Sequence, residues 1–299
     1  MRDRDHAKLP TGRELGLLSL VIIGIGTSGP VIALGAMPIV ALIFWRNLGG
    51  FLLVAPWSNW RQVLKESKDP EYRRALYLAA TAGLALALHF LGFFLAMRLT
   101  SVAAGTALAA LQPIFATYFV RLLGGHVPKR VWLAMIVAFS GVLVITGVDF
   151  QISTRAFLGD LAAIGCAALA AIYVTIGAGA REKMSTATYS SIVYLTCAIF
   201  SFTISLIAGI SLTGYPQIEW VYLVILIIGA QIMGHTILNF TLRSVSPAIA
   251  SIVVFFEVPV SSILAFWWLG QLPPLGTIPG LVLILIGCLI FASRQSEKS

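Results

Sequence analysis

Residues 75–97 read ALYLAATAGLALALHFLGFFLAM. The stretch contains no Asp, Glu, Lys or Arg. At about 1.5 Å per residue a helix of this length crosses the roughly 30 Å hydrocarbon core of a bilayer. Working outward in both directions, comparable runs cover 15–34, 37–56, 101–123, 130–148, 157–179, 187–209, 218–240, 245–268 and 275–293. Ten spanning helices are therefore expected. Of the 299 residues 59% are apolar and 11% charged, against about 25% charged in a soluble domain. The apolar runs are continuous rather than alternating, which excludes a transmembrane barrel. Pro30, Pro38, Pro113 and Pro259 fall inside runs, which membrane helices tolerate because neighbouring groups re-satisfy the freed backbone.

The formal charge of +8 is not a nucleic-acid signature, because the basic residues sit in short clusters between the runs. With residues 1–14 on the cytoplasmic side, seventeen of the twenty Lys and Arg fall on that side. Arg98 and Arg155 fall outside, and Arg46 lies within a span. This asymmetry places both termini, including the tail 294–299, in the cytoplasm. The leading segment mixes acids with bases, and the run from Leu15 is too long for the core of a signal peptide.

The two halves resemble each other at a shift of 146 residues. Pro113 falls on Pro259, Leu123-Gly124 on Leu269-Gly270, Gly141 on Gly287, and His89 on His235. Each half holds five helices, an odd number, so the second enters the membrane from the opposite side. The expected fold is an all-α membrane protein of two inverted five-helix repeats, 15–148 and 157–293. Architectures of this kind place a substrate site near the midplane between the halves.

The segment Pro38…Arg46 and the closing patterns Pro113…Leu123-Gly124…Gly141 and Pro259…Leu269-Gly270…Gly287 resemble the EamA family of the drug/metabolite transporter (DMT) superfamily. The resemblance spans about residues 15–293. It implies a permease of the bacterial inner membrane, often an exporter (efflux) of amino acids or other metabolites, working by alternating access. The chain departs from the pattern at Gly125 and Gln271, where many members carry an acid, and at Ile25-Gly26, where many carry Trp-Gly. Pro113, Pro259, Gly124, Gly270, Gly141 and Gly287 are read as hinge and packing positions.

Ionisable groups inside a span are costly and mark candidate sites. Gln231, His235 and Asn239 lie four residues apart and share one helical face. They read either as a substrate-lining stripe or as interhelical hydrogen bonds. His89 occupies the matching place in the third helix. Glu257 reads as the only acid well inside a span, with Ser261 one turn on as a potential bonding partner. It could hold a cationic group, carry a proton or pair with Arg46. Arg46 lies roughly 13 Å deep at about 1.5 Å per residue, as a carboxylate-binding or gating charge or as a structural lock. Trp45, Tyr173, Tyr194 and Phe255 are further cavity candidates, and Ala163, Ala167 and Ala171 form a close-packing stripe.

No cofactor or metal is expected, since Cys166, Cys197 and Cys288 fit no zinc or redox spacing. Gly24-Ile25-Gly26-Thr27-Ser28-Gly29 matches a dinucleotide motif, but it lies inside a spanning helix and no acid follows until Glu66. The expected partners are a small-molecule substrate and the lipid bilayer, with no nucleic acid. A coupling proton and a second copy of the chain stay open. The rival functions are an intramembrane lipid-modifying enzyme, for which the catalytic acids and metal ligands are too few, and a receptor or scaffold subunit, which needs no internal repeat.

Overall fold

The computed structural model describes residues 12–122, 124, 129–237 and 255–297. The first span is two helices, α1 (Gly12–Gly26) and α2 (Ser28–Leu34). Helix α3 (Ile39–Val54) ends in a 3-10 turn, Ala55–Trp57, and the short α4 (Trp60–Glu66) leads into α5 (Pro70–Leu99). Then come α6 (Val102–Ala109), α7 (Gln112–Leu122), α8 (Lys129–Ile152), α9 (Thr154–Arg181) and α10 (Thr186–Ile207). Helix α11 (Gln217–Ile225) widens into a π-helix, Leu226–Thr236. Helix α12 (Glu257–Leu269), a 3-10 turn (Leu275–Thr277) and α13 (Ile278–Glu297) complete the bundle. Among the described residues, eight helical segments are long and apolar enough to cross a membrane. Two shorter apolar ones are Glu257–Leu269 and Leu275–Gly287. Residues 245–254 of the expected ninth span lie outside the described residues.

The packing partners respect the exchange of halves. Helix α3 packs on α10 and α8 on α13, each pair related by the 146-residue shift. Helix α5 packs on α9, and correspondingly the π-helix packs on α1. Helices α6 and α7 lie against α9, as α12 lies against α1 and α2.

Helix α8 shows how the bundle sorts its side chains. Ala134, Ala138, Val142, Ile145 and Asp149 are buried, whereas Leu133, Ile136, Phe139, Leu143 and Phe150 are exposed. The large apolar groups thus face lipid, and mostly small ones face protein, which lets backbones approach closely. A Cβ on Gly141 would stand 2.5 Å from the Gly280 carbonyl oxygen, and one on Gly287 2.8 Å from that of Ala134. The two repeat-related glycines therefore serve one interface, between α8 and α13.

The Leu-Gly motif also has a backbone reason. Gly124 and Gly270 both have positive φ, 87° and 63°. Gly270 closes α12 with its N–H on the Phe266 carbonyl, a left-handed cap that glycine adopts without a Cβ penalty.

Two expected spans are broken among the described residues, 15–34 at Thr27 and 101–123 at its middle. The run 101–123 divides at Ala110–Leu111, and Pro113 stands in the first turn of α7. There its missing N–H is not needed, and Pro259 occupies the equivalent place in α12.

Gly141→Val is expected to cost about 1–3 kcal/mol by overpacking the α8–α13 contact. Gly147→Val, on the lipid side of the same helix with nothing within 4 Å of its would-be Cβ, should cost far less. Denaturant unfolding of the purified protein in detergent compares them.

Candidate substrate site

Helix α3 carries Arg46 into the middle of the bundle, where it is 1% exposed. A buried guanidinium needs acceptors and polarisable neighbours. Its Nε donates to Gln231 Oε1 at 2.8 Å, and its Cζ lies 4.2 Å from the Phe90 ring centroid, a cation–π distance. Phe94 lies 5.6 Å away. Gln231 reaches Asn47 Oδ1 at 3.4 Å, and Asn47 in turn donates to the Ile43 carbonyl at 2.8 Å. Gln231 and Asn47 are fully buried.

The two repeat-related histidines flank the same aromatic ring. Phe90 lies 5.3 Å from His89 and 6.1 Å from His235, centroid to centroid. His89 Nδ1 lies 2.9 Å from the Cys166 carbonyl oxygen on α9. A carbonyl only accepts, so His89 donates there, and its Nε2 is the nitrogen left to face the site. His89, His235 and Glu257 are half-buried. Arg46 lies within electrostatic range of all three. Glu257 has the Ser28 hydroxyl as a neighbour, and Arg46 takes Gln231 rather than Glu257 as its close partner.

The π-helix sets part of this geometry. Its wider turn brings residue i+5 under residue i, so Thr236 Oγ donates to the Gln231 carbonyl at 3.0 Å and meets the Tyr194 hydroxyl at 3.3 Å. Gln231 and His235 lie in this π-helix rather than on the expected α-helical face, Gln231 against Arg46 and His235 beside the Phe90 ring. Asn239 lies outside the described residues.

Ser261 does not bond to Glu257 and does not line a cavity. It is fully buried, and its Oγ donates to the Gly26 carbonyl at 2.8 Å. The reason is Pro30. In an unbroken helix the Gly26 carbonyl would accept from the N–H of residue 30, which proline lacks. Ser261 supplies the missing donor from α12. Of the aromatic candidates, Trp45 Nε1 donates to the Leu212 carbonyl at 2.7 Å and packs on Trp220. Tyr173 stacks on Tyr189, and Phe255 is buried in the core.

Glu257 is not the only acid within the bundle, and three others are more deeply buried than it is. Asp149, Asp160 and Glu219 are 2%, 0% and 5% exposed. Glu219, at the start of α11, accepts from the Ala36 and Met37 N–H groups, both at 2.8 Å. It thereby holds the linker between α2 and α3. Arg98 lies beside it, with Nε on the Ile32 carbonyl at 3.3 Å. A cavity of about 660 Å³ opens at this end of the bundle, lined among others by Ala36, Arg98, Thr100, Asp149, Arg155 and Gln271. Among the described residues, none of those singled out from sequence as a substrate-lining group borders it. Asp149 and Glu219 stand near the edges of their hydropathic runs, where a span's limits are read least sharply. Asp160 stands four residues into its run.

A bundle of apolar helices with a polar centre fed from both halves is the architecture of a membrane transporter. The chain belongs to the EamA-like transporter family, whose profile matches residues 11–147 and 157–293. It is a multi-pass membrane protein of the drug/metabolite transporter type. It is 22% identical over 260 residues to an uncharacterized transporter of Archaeoglobus fulgidus, covering 86% of this chain and 88% of that protein. It also superposes on a chain of known crystal structure with a TM-score of 0.63 at 17% identity, covering 93% of this chain and 96% of the other. That likeness shows the fold.

Ser261→Ala is expected to cost about 0.6 kcal/mol, the usual worth of a side-chain hydrogen bond inside a membrane protein. Adding Pro30→Ala should restore the loss by returning the helical N–H. A double variant less stable than Ser261→Ala alone would overturn this account in the same unfolding assay. Gln231→Leu leaves the Arg46 Nε–H without its acceptor and is expected to cost about 1–3 kcal/mol.

Proposed function

We propose that the chain is a secondary permease that exports a small metabolite, an amino acid or a similar compound, by alternating access. The observation that carries the reading is the convergence of Arg46, Gln231, His89, His235 and Glu257 from both halves of the chain. A substrate with a cationic group would be held by Glu257 and shielded by the Phe90 side of the site. Arg46 would fix the local field and repel unaccompanied cations. The His89 and His235 ring nitrogens would bond the substrate's polar groups, and Glu257 or His235 would carry a coupling proton.

The arrangement proposed is ten spans in two inverted repeats, 15–148 and 157–293, between the cytoplasmic tails 1–14 and 294–299. The excess of Lys and Arg on one side supports this topology in the bacterial inner membrane. The pairing of α3 with α10 and α8 with α13 supports the internal exchange. Export is taken from what members of the family commonly do.

Metabolite profiling of medium and cytoplasm, in cells with and without the protein, is expected to show one compound class moving outward. Glu257→Gln should reduce that flux at least about tenfold, a loss of about 1.4 kcal/mol of differential interaction, while the protein still reaches the membrane. With the compound in proteoliposomes, a flux indifferent to a pH gradient would remove proton coupling from the proposal.

A further inference from the structure

The large cavity has a chemistry of its own, away from Arg46. Asp149 lines it and accepts from the Thr100 hydroxyl at 2.9 Å. Behind Asp149 stands Asp160, wholly buried and held against Asp149 and Thr100. Neither Asp160 oxygen meets a donor, because the single Thr100 hydroxyl proton goes to Asp149. The backbone fixes this approach. A Cβ on Gly159 would stand 2.8 Å from the Thr100 nitrogen, so the first turns of α9 press directly on the end of α5.

Among the described residues no cation balances the pair. The ionisable groups of the surrounding elements at this end are Arg98 on α5 and Arg155 on α9. Arg155 is exposed and its Nη2 donates to the Arg98 carbonyl at 2.9 Å. Arg98 is turned to the Ile32 carbonyl and to Glu219. Helices α6 and α13 and the turn at 275–277 bring no charge here, and Gln271 spends its side-chain oxygen on the Val102 N–H at 3.0 Å. Asp149 also lies in the last turn of α8, where the helix carbonyls disfavour a negative charge. Two adjoining buried carboxylates cannot both ionise at low cost. If one of the two keeps a proton it can donate it to the other, which gives Asp160 the partner that it otherwise lacks.

We infer that Asp149 and Asp160 form a proton-binding site that shares one proton at neutral pH and exchanges it with water through the cavity lined by Asp149. If the transporter reading holds, this is a proton-loading position separate from Glu257. The site itself does not depend on that reading.

The test is infrared absorption of the full-length protein in liposomes, in potassium buffer at neutral pH, with water and heavy water compared. The wild-type protein should show a protonated-carboxyl band from this pair. Asp160→Asn and Asp149→Asn should each lose the whole of it, because the remaining carboxylate then adjoins a neutral amide donor instead of a second carboxyl group. The double variant should lose no more than either single one, which separates a shared proton from two independent acids. Thr100→Val keeps both carboxyls and should retain the band at a shifted frequency. An unshifted band there, or a band unchanged in both Asn variants, overturns the assignment. So does a band that disappears when sodium replaces potassium, which would make the pair a sodium site. No substrate is needed, so a negative result leaves the transport proposal standing, and a chain that moves no metabolite leaves the carboxyl pair standing.

Discussion

A guanidinium in the centre of a lipid-embedded bundle is the constraint around which the rest is arranged. Arg46 cannot lose its proton at any ordinary pH and cannot reach water, so protein must replace the hydration it gives up. Gln231 from the π-helix supplies the acceptor, and Phe90 from α5 supplies the ring face. Three separate elements are thereby fixed to one point. Asn47 then orients Gln231, and Thr236 ties down the backbone behind it. The half-buried groups, His89, His235 and Glu257, stand at the edge of this fixed centre. Rigid support behind an accessible polar face is what a binding site requires.

The second constraint is that hydrocarbon offers the backbone no partners. Each break in a helix must therefore be met by something specific. At Pro30 it is Ser261. At the turn between α2 and α3 it is the Glu219 carboxylate, which takes two N–H groups at once. Both repairs come from the second half of the chain and act on the first span and its exit. The halves are thus joined through polar repairs as well as apolar packing. Ser261 reads as chemistry by residue type, yet what it does, like Glu219, is complete the backbone.

How much of this was legible follows from which signals are local. The apolar runs gave the helices. The Leu-Gly pairs read as hinge and packing positions, whereas both glycines have positive φ and Gly270 caps α12. The His89–His235 correspondence survived into space, both rings meeting Phe90. The π-helix was not legible, since the i+4 stripe that suggested a face with Asn239 is an α-helical spacing, and the wide turn aligns Thr236 with Gln231 instead. Ser261 was tied to Glu257 by its spacing in sequence, but its partner lies 235 residues away. Asp149 and Glu219 stand near the margins of apolar runs, where the sequence marks a span least sharply. Asp160, four residues into its run, carries no local sign of its burial. In each case burial is decided by helices distant in sequence.

The repeat also separates scaffold from chemistry. Packing partners map onto one another when the halves are exchanged, so two arrangements of such a bundle can be close in energy. The polar groups do not map in this way. At the 146-residue shift, Arg46 corresponds to Ile192, Gln231 to Ala85, Glu257 to Leu111 and Phe90 to Thr236; only the histidines keep their identity. In the alternating-access scheme proposed above, the scaffold would bring the two states near balance, and the unpaired groups would make them differ. A ligand shifts such an equilibrium only by its differential affinity for the two states. That difference must come from residues without a symmetry mate, which directs attention to Arg46 and Glu257 before the more conspicuous histidines.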